Sequence, residues 1–372
     1  MFKSLTHSVR MKNRSEVMGK HRGMTAFCLT VFCLMAFCLA GLSGCSRSIE
    51  DSPAPSAVQE QSVQNNSAAK EQSSVEGSGE SQASGRPEES ASDAEGEIVP
   101  EHYEEEDDFL YGLESKTAVL LRNGVPISGK NAEKAVYPAS TVKLMTALVV
   151  WDHLDPDEMI EMREDISKGV LDKDLTIAGF KDGDKVSVRD CLYGLLVPSG
   201  ADCATLFAER IAGSEQTFAV LMNEKADELG LTGTYYTNPH GGPDRRQVTT
   251  ALDTARLLEE VLKNPFLREV VCTPVYTTAP TENYPEGLTF RHVLVYYLYG
   301  NDNWPFGGLI YGGKTGTTTQ AGKCLVSFSK IGGDTYILAT FGAYKKGAGQ
   351  VRDALTVYER LKDRYEPKEE MM

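Results

Sequence analysis

Ser140 and Lys143 stand three residues apart in the run Tyr137-Pro138-Ala139-Ser140-Thr141-Val142-Lys143. On a helix that spacing puts both side chains on one face, so an amine can reach a hydroxyl. A serine hydroxyl needs a base before it can attack a carbonyl. A lysine serves as that base only where burial disfavours its ammonium form. Pro138 fits just ahead of a helix start and places Ser140 in the first turn. There the helix N-terminus favours a developing negative charge. The pair alone is a weak signal, since a surface helix can carry it by chance. Residues 140–151 are apolar on nearly every side, which predicts a buried central helix instead.

A second group is Lys314-Thr315-Gly316, followed by Thr317, Thr318 and Thr319. A strand edge bearing a fixed cation and hydroxyls suits an extended peptide with a terminal carboxylate. Gly316 permits close backbone approach there. The same stretch, Gly308 to Thr315, satisfies the GxxxxGKT pattern of a phosphate-binding loop. Such a loop must open a helix after its Lys-Thr. The Gly-Thr-Thr-Thr that follows is a poor helix start, so the nucleotide reading is rejected. A third group, Pro198-Ser199-Gly200-Ala201-Asp202, reads as a loop between two helices. Its serine can bridge two lysines and relay a proton, although a turn with a helix cap explains it equally.

These groups need elements to hold them. Residues 117–121 read as a strand, and Asn123-Gly124 as a hairpin turn into a second one. Helices are predicted over 140–151, from Ser187 to before Pro198, over 201–211, from Ser214 to Gly230, and over 249–263 before Pro265. Strands return at 310–315, 324–330 and 335–341, with Gly332-Gly333-Asp334 as the last turn, and a helix closes the body over 347–364. The expected fold is α+β: an antiparallel five-stranded sheet flanked by helices, with an inserted, mostly helical lobe.

The motifs, taken with Thr237-Asn238-Pro239-His240-Gly241 and Thr250-Ala251-Leu252-Asp253-Thr254-Ala255, resemble those of the low-molecular-weight penicillin-binding proteins, the serine D-Ala-D-Ala carboxypeptidases. The likeness runs from about Leu113 to Tyr365 in order and spacing. It implies that Ser140 is acylated, that Lys143 is its base, and that Ser199 passes a proton to the leaving D-alanine. It further implies that Lys314 and Thr315 bind the terminal carboxylate, with Gly316 beside them. The backbone N–H groups of Ser140 and Thr317 would form an oxyanion hole. Peptidoglycan stem peptides would be the substrates and β-lactams the acylating inhibitors, with no cofactor and no metal. The family's second motif is Ser-x-Asn, and here Ala201 stands in the third place, without an amide to orient the lysine. That departure keeps open a weakly active or non-catalytic binder of wall peptides. A β-lactamase is a lesser alternative, because no ExxLN segment lies between Ser199 and Lys314. A Ser-His-Asp hydrolase is disfavoured too: the body has no GxSxG elbow, and neither His240 nor His292 has an evident partner. No HExxH or CxxC pair points to zinc.

The remaining chain concerns location. Residues 25–41 form an apolar segment behind a basic stretch, as in an export signal, and end in Leu42-Ser43-Gly44-Cys45. This resembles a bacterial lipobox, which implies a lipidated Cys45 anchoring the protein to the cell membrane, outside the cytoplasm. An uncleaved signal anchor is the competing reading, with the start codon open among Met1, Met11 and Met18. Residues 46–108 carry 17 acids against three bases and almost no apolar cluster. Such a tract cannot offset its ordering entropy and reads as a solvated tether. Most of the net charge of −15 therefore belongs to the tether, and no basic face suggests nucleic acid. The expected domains are a lipoprotein signal over 1–45, the tether over 46–108, a peptidase domain over 109–366 and a tail over 367–372. The pairing of Cys191, Cys203, Cys272 and Cys324 is open.

Overall fold

Residues 117–122 are apolar at most positions, and they form β1 (Thr117–Arg122), buried along nearly its whole length. A strand buried on both faces needs cover on both sides of its sheet. Asn123 and Gly124 take φ of 49° and 82°, as a tight primed turn requires. β2 (Val125–Lys130) then returns antiparallel to β1. The computed structural model describes residues 109–297, 308–344 and 347–366. Cys45, the apolar segment, the tether and the tail after 366 lie outside the described residues.

The helical insertion follows the hairpin. A 3₁₀ turn, Ala139–Val142, runs into α1 (Lys143–His153), of which Lys143 through Val150 are all buried. β3 (Met159–Glu161), α2 (Glu164–Leu171) and β4 (Lys185–Ser187) form a small flap in which β3 pairs with β4. Then come α3 (Val188–Leu196), α4 (Ala201–Ala212) and α5 (Glu215–Glu228). Ser187 and Ser214 cap α3 and α5 by accepting from the N–H of Asp190 and Thr217. α6 (Ala251–Lys263) is capped by Thr250, and α7 (Pro265–Cys272) starts on the proline that was expected only to end its predecessor. β5 (Val275–Thr277) and β6 (Thr289–Arg291) form a second ribbon ahead of the short α8 (Val293–Tyr297).

β7 (Gly312–Thr318), β8 (Gly322–Ile331) and β9 (Asp334–Ala343) complete a five-stranded antiparallel sheet in the order β2-β1-β9-β8-β7. α9 (Gly349–Tyr365) packs on one face, where Val357, Tyr358 and Leu361 meet Leu120, Leu325 and Leu338. The opposite face, with Val119, Leu121, Val326 and Ile337, joins the core of the helical insertion. Residues of β1 thus alternate between two separate cores, as the strand period of two demands. β2 and β7 are the two edges of the sheet, and the 3₁₀ turn that carries Ser140 lies against β7.

Two local expectations are corrected. The α-helix begins at Lys143, and Ser140 belongs to the 3₁₀ turn before it. Its bonds close three residues apart, Lys143 N donating to the Ser140 carbonyl and Thr141 N and Oγ to that of Pro138, and Ala139 just ahead has φ of 49°. The strand predicted over 310–315 runs instead from Gly312 through Thr318, so the whole Lys-Thr-Gly-Thr run is paired with β8. No helix follows Thr315, as the rejection of the phosphate-loop reading requires.

Candidate active site

In a 3₁₀ turn, residues three apart lie nearly one above the other. Lys143 Nζ accordingly stands 3.0 Å from Ser140 Oγ. Its other partner is the main-chain carbonyl of His240, to which it donates at 2.7 Å. The side chain is 2% exposed, among the apolar residues of α1. Burial strips water from the ammonium and pulls Lys143 down to about 7, against the opposing pull of the Asp202 carboxylate. The amine is therefore available as a base near neutral pH.

The second lysine holds the second serine. Lys314 Nζ donates to Ser199 Oγ at 2.8 Å and to the Thr315 carbonyl at 2.9 Å. Lys314 is wholly buried, and both burial and the nearby charge of Lys143 push its pKa well below the ordinary value. This corrects the picture of a cation displayed on the strand edge: the amine lies in the wall, behind Ser199. What faces the opening is Ser140, Ser199, Thr315, Gly316 and Thr317, which together line a cleft of about 460 Å³. Arg291 of β6 also lines it.

Ser199 has φ of 71°, unusual for a residue with a Cβ. It is held there by its flanks, where Gly200 N donates to Gly194 O at 2.9 Å and Ala201 N to Thr176 O at 2.7 Å. Ala139 and Ser199, one beside Ser140 and one bonded to Lys314, are both in this strained region, and such strain persists only where surroundings over-determine it. A Cβ on Gly316 would come to 3.0 Å from the Ser140 nitrogen, so a side chain there would crowd the Ser140 N–H.

Ala201 starts α4, buried and without a polar atom. Asp202 does not take over the missing amide's place. Its carboxylate turns to the 178–179 loop, accepting from Ala178 N at 2.8 Å and Gly179 N at 3.3 Å, and from Cys203 N at 3.0 Å. The four body cysteines are all free thiols.

Sequence reasoning missed one member of the site. His240 reads as a loop former in Asn-Pro-His-Gly-Gly, and it had no evident partner. In the fold its carbonyl meets Lys143, and its Nε2 lies 3.3 Å from Glu215 Oε1. Turn dipeptides announce a loop, but nothing in the local sequence joins that loop to a lysine on a distant helix. His292 is buried beside Lys314 and pushed down to about 3 by burial and by that charge, so it stays neutral.

A five-stranded sheet with an inserted helical lobe, and a serine–lysine pair where the two meet, is the architecture of the DD-peptidases. The crystal structure of the Streptomyces K15 DD-transpeptidase superposes with a TM-score of 0.59 at 27% identity, over 66% of this chain and 96% of that one. Among curated proteins, the D-alanyl-D-alanine carboxypeptidase DacF of Bacillus subtilis is 31% identical over 236 residues, 62% of this chain and 58% of its own length. A D-alanyl-D-alanine endopeptidase of Pseudomonas aeruginosa is 32% identical over 237 residues, 62% of this chain and 72% of that one. Residues 108–345 match peptidase family S11, described as D-alanyl-D-alanine carboxypeptidase. The chain belongs to this family of serine peptidases.

Proposed function

We propose that the protein is a penicillin-sensitive D-Ala-D-Ala carboxypeptidase that removes the terminal D-alanine of peptidoglycan stem peptides through an acyl-enzyme. The observation that carries the reading is the Lys143 amine, lowered to about 7 and 3.0 Å from the Ser140 hydroxyl. Ser140 Oγ attacks the penultimate D-alanine carbonyl while its proton passes to Lys143. The C–N bond breaks, and the proton held by Lys143 passes by way of Ser199, the hydroxyl bonded to Lys314, to the leaving amine, which returns Lys143 to the free amine. The substrate's terminal carboxylate lies against Thr315, where its charge draws a proton onto Lys314. Water then attacks the ester with Lys143 again as base, which releases the shortened stem and restores Ser140. The N–H groups of Ser140 and Thr317 hold the oxyanion in both steps.

Ala201 supports a second reading, a slow or non-catalytic binder of the same peptides. Loss of one oriented group costs about 2–4 kcal/mol at a transition state, which slows an enzyme without abolishing it. The β-lactamase reading is weaker, because no carboxylate is among the described residues that line the cleft. The match to relatives named for carboxypeptidase, endopeptidase and transpeptidase chemistry leaves the acceptor to experiment. Incubation with a pentapeptide stem should release D-alanine, faster for Ala201→Asn than for the parent. Labelled penicillin should form a long-lived adduct that Ser140→Ala lacks. Labelling of that variant at the parent level would refute the nucleophile, and peptide affinity with no D-alanine release would leave the binder. We also place the protein outside the cytoplasm, lipidated at Cys45. Globomycin-sensitive processing, lost on Cys45→Ala, would test the anchor.

A further inference from the structure

The loop behind Lys143 is built more tightly than a connector needs. Asn238 Oδ1 accepts from Gly241 N at 2.8 Å, and Gln247 Oε1 accepts from Thr237 N and Asn238 N at 2.9 and 3.1 Å. Thr146 of α1 donates to the Pro239 carbonyl at 2.6 Å. Gly241 has φ of +85°, and a Cβ there would fall 2.1 Å from the Ala139 carbonyl oxygen and 2.8 Å from Ser140 N. A Cβ on Gly242 would fall 2.7 Å from the His240 ring. The two glycines therefore let one loop press on the nucleophile's backbone and fold over the imidazole at once.

The ring is fixed in one tautomer. His240 Nδ1 accepts from Gly242 N at 2.9 Å, so the proton of the neutral ring must lie on Nε2. Nε2 faces Glu215 Oε1 at 3.3 Å, an electrostatic contact rather than an aligned hydrogen bond. Glu215 opens α5, accepts from Thr205 Oγ of α4 at 2.6 Å and stands 3.5 Å from Lys173 Nζ. Burial works to raise its pKa, and the contact with the His240 ring, with help from Thr205 and Lys173, outweighs it and brings the carboxyl down to about 2. The groups facing the ring are Glu215, Lys143 and Lys173. Burial and the two lysines together prevail over Glu215, so His240 is held neutral.

We propose that Glu215 and His240 are positioning residues for the general base, clamping the carbonyl that receives one N–H of Lys143 so that the amine's lone pair points at Ser140. This rests on the Ser140–Lys143 reading above and extends it. Among the described residues, Ser140 and His240 are the two hydrogen-bond partners of Lys143 Nζ. With an alanine at 201, no side-chain amide shares the task. A carbonyl acceptor favours the ammonium over the amine, because the charged donor bonds more strongly. Releasing it should therefore lower the Lys143 pKa further while loosening its aim. Asp202, Cys203 and the neighbouring Lys314, the other charged or titratable groups near Lys143, are untouched by changes at 215 and 240.

The test uses the whole chain labelled with ¹³C-lysine, with the Lys143 resonance assigned by its absence in Lys143→Met. In the parent it should titrate near 7, and in Glu215→Gln and His240→Phe at lower pH. In parallel, acylation by labelled penicillin should slow about 10–100-fold in His240→Phe, the scale of a roughly 1 Å misplacement, with less loss in Glu215→Gln. The acid limb should move with the lysine while the final labelled fraction stays the same. A merely structural role would lower that fraction and leave the midpoint in place. An unchanged Lys143 titration in Glu215→Gln, the milder variant, overturns the proposal even if His240→Phe fails to fold. A parent that takes no label while the titration still shifts would overturn the functional reading alone.

Discussion

The two faces of the central sheet bury polar groups of opposite kinds. On the α9 side, the Asp353 carboxylate accepts from Glu114 N, Ser115 N and Ser115 Oγ at 2.9, 2.8 and 2.6 Å, and Tyr358 OH bonds Ser327 Oγ at 3.0 Å. The Asp353 carboxylate is matched by donors that tie the start of the domain to its last helix, and the Tyr358 hydroxyl ties that helix to β8. On the other side lie two lysines with few partners and displaced pKa values. A buried charge with its partners in place holds a fold together, whereas a buried amine short of partners gives up its proton. One sheet thus carries a clamp on one face and a buried lysine pair beside its β7 edge.

Substituting each side should separate the two roles. Lys143→Met should bring the largest effect, a fall in penicillin acylation of about 10³-fold or more, since the serine loses its base. The same variant should melt no lower than the parent at pH 8. Folding lowers the Lys143 pKa from 10.5 to about 7, so the unfolded chain binds the extra proton over that window. Stability due to this group therefore rises with pH between those values, and below about 7 its full cost is present. Removing the amine removes the cost, which thermal melts across that pH range would show as a flattened dependence.

Asp353→Asn should do the reverse. It replaces one acceptor oxygen by a donor facing N–H groups, and should destabilise by about 2–4 kcal/mol in urea titrations. Acylation per folded molecule should hardly change. The pH profile of acylation in the parent is a smaller and sharper test. The rate should fall roughly tenfold per unit below the Lys143 midpoint of about 7 and level off above it. A flat profile through that midpoint would remove lysine as the base. Smallest of all, Tyr358→Phe should cost about 1 kcal/mol of stability, one neutral hydrogen bond, with no change in the acylation profile.

Much of the fold was legible because its signals are local. The Asn123-Gly124 turn, the Ser187 and Ser214 caps and the apolar run of β1 each depend on neighbours in sequence, and each appears where expected. The small ribbons β3–β4 and β5–β6 were not foreseen, since three-residue strands carry too little periodicity to register. The positive φ of Ala139, just ahead of Ser140, was not foreseen, because it is imposed from outside. Gly241 and Gly316 press on that backbone, and no residue beside Ala139 announces it.

The order of residues along the chain determined which chemistry is available: a serine three before a lysine, a second serine, and a lysine on a threonine-rich strand. Tertiary structure alone decided the state of those groups. Proton affinity follows from water excluded and charges nearby, and these depend on segments far apart in sequence. Lys314 reads as a displayed cation in its own motif, yet it is enclosed by Ser199, 115 residues earlier. His240, a loop residue by its neighbours, comes to Lys143 across 97 positions and offers it a carbonyl.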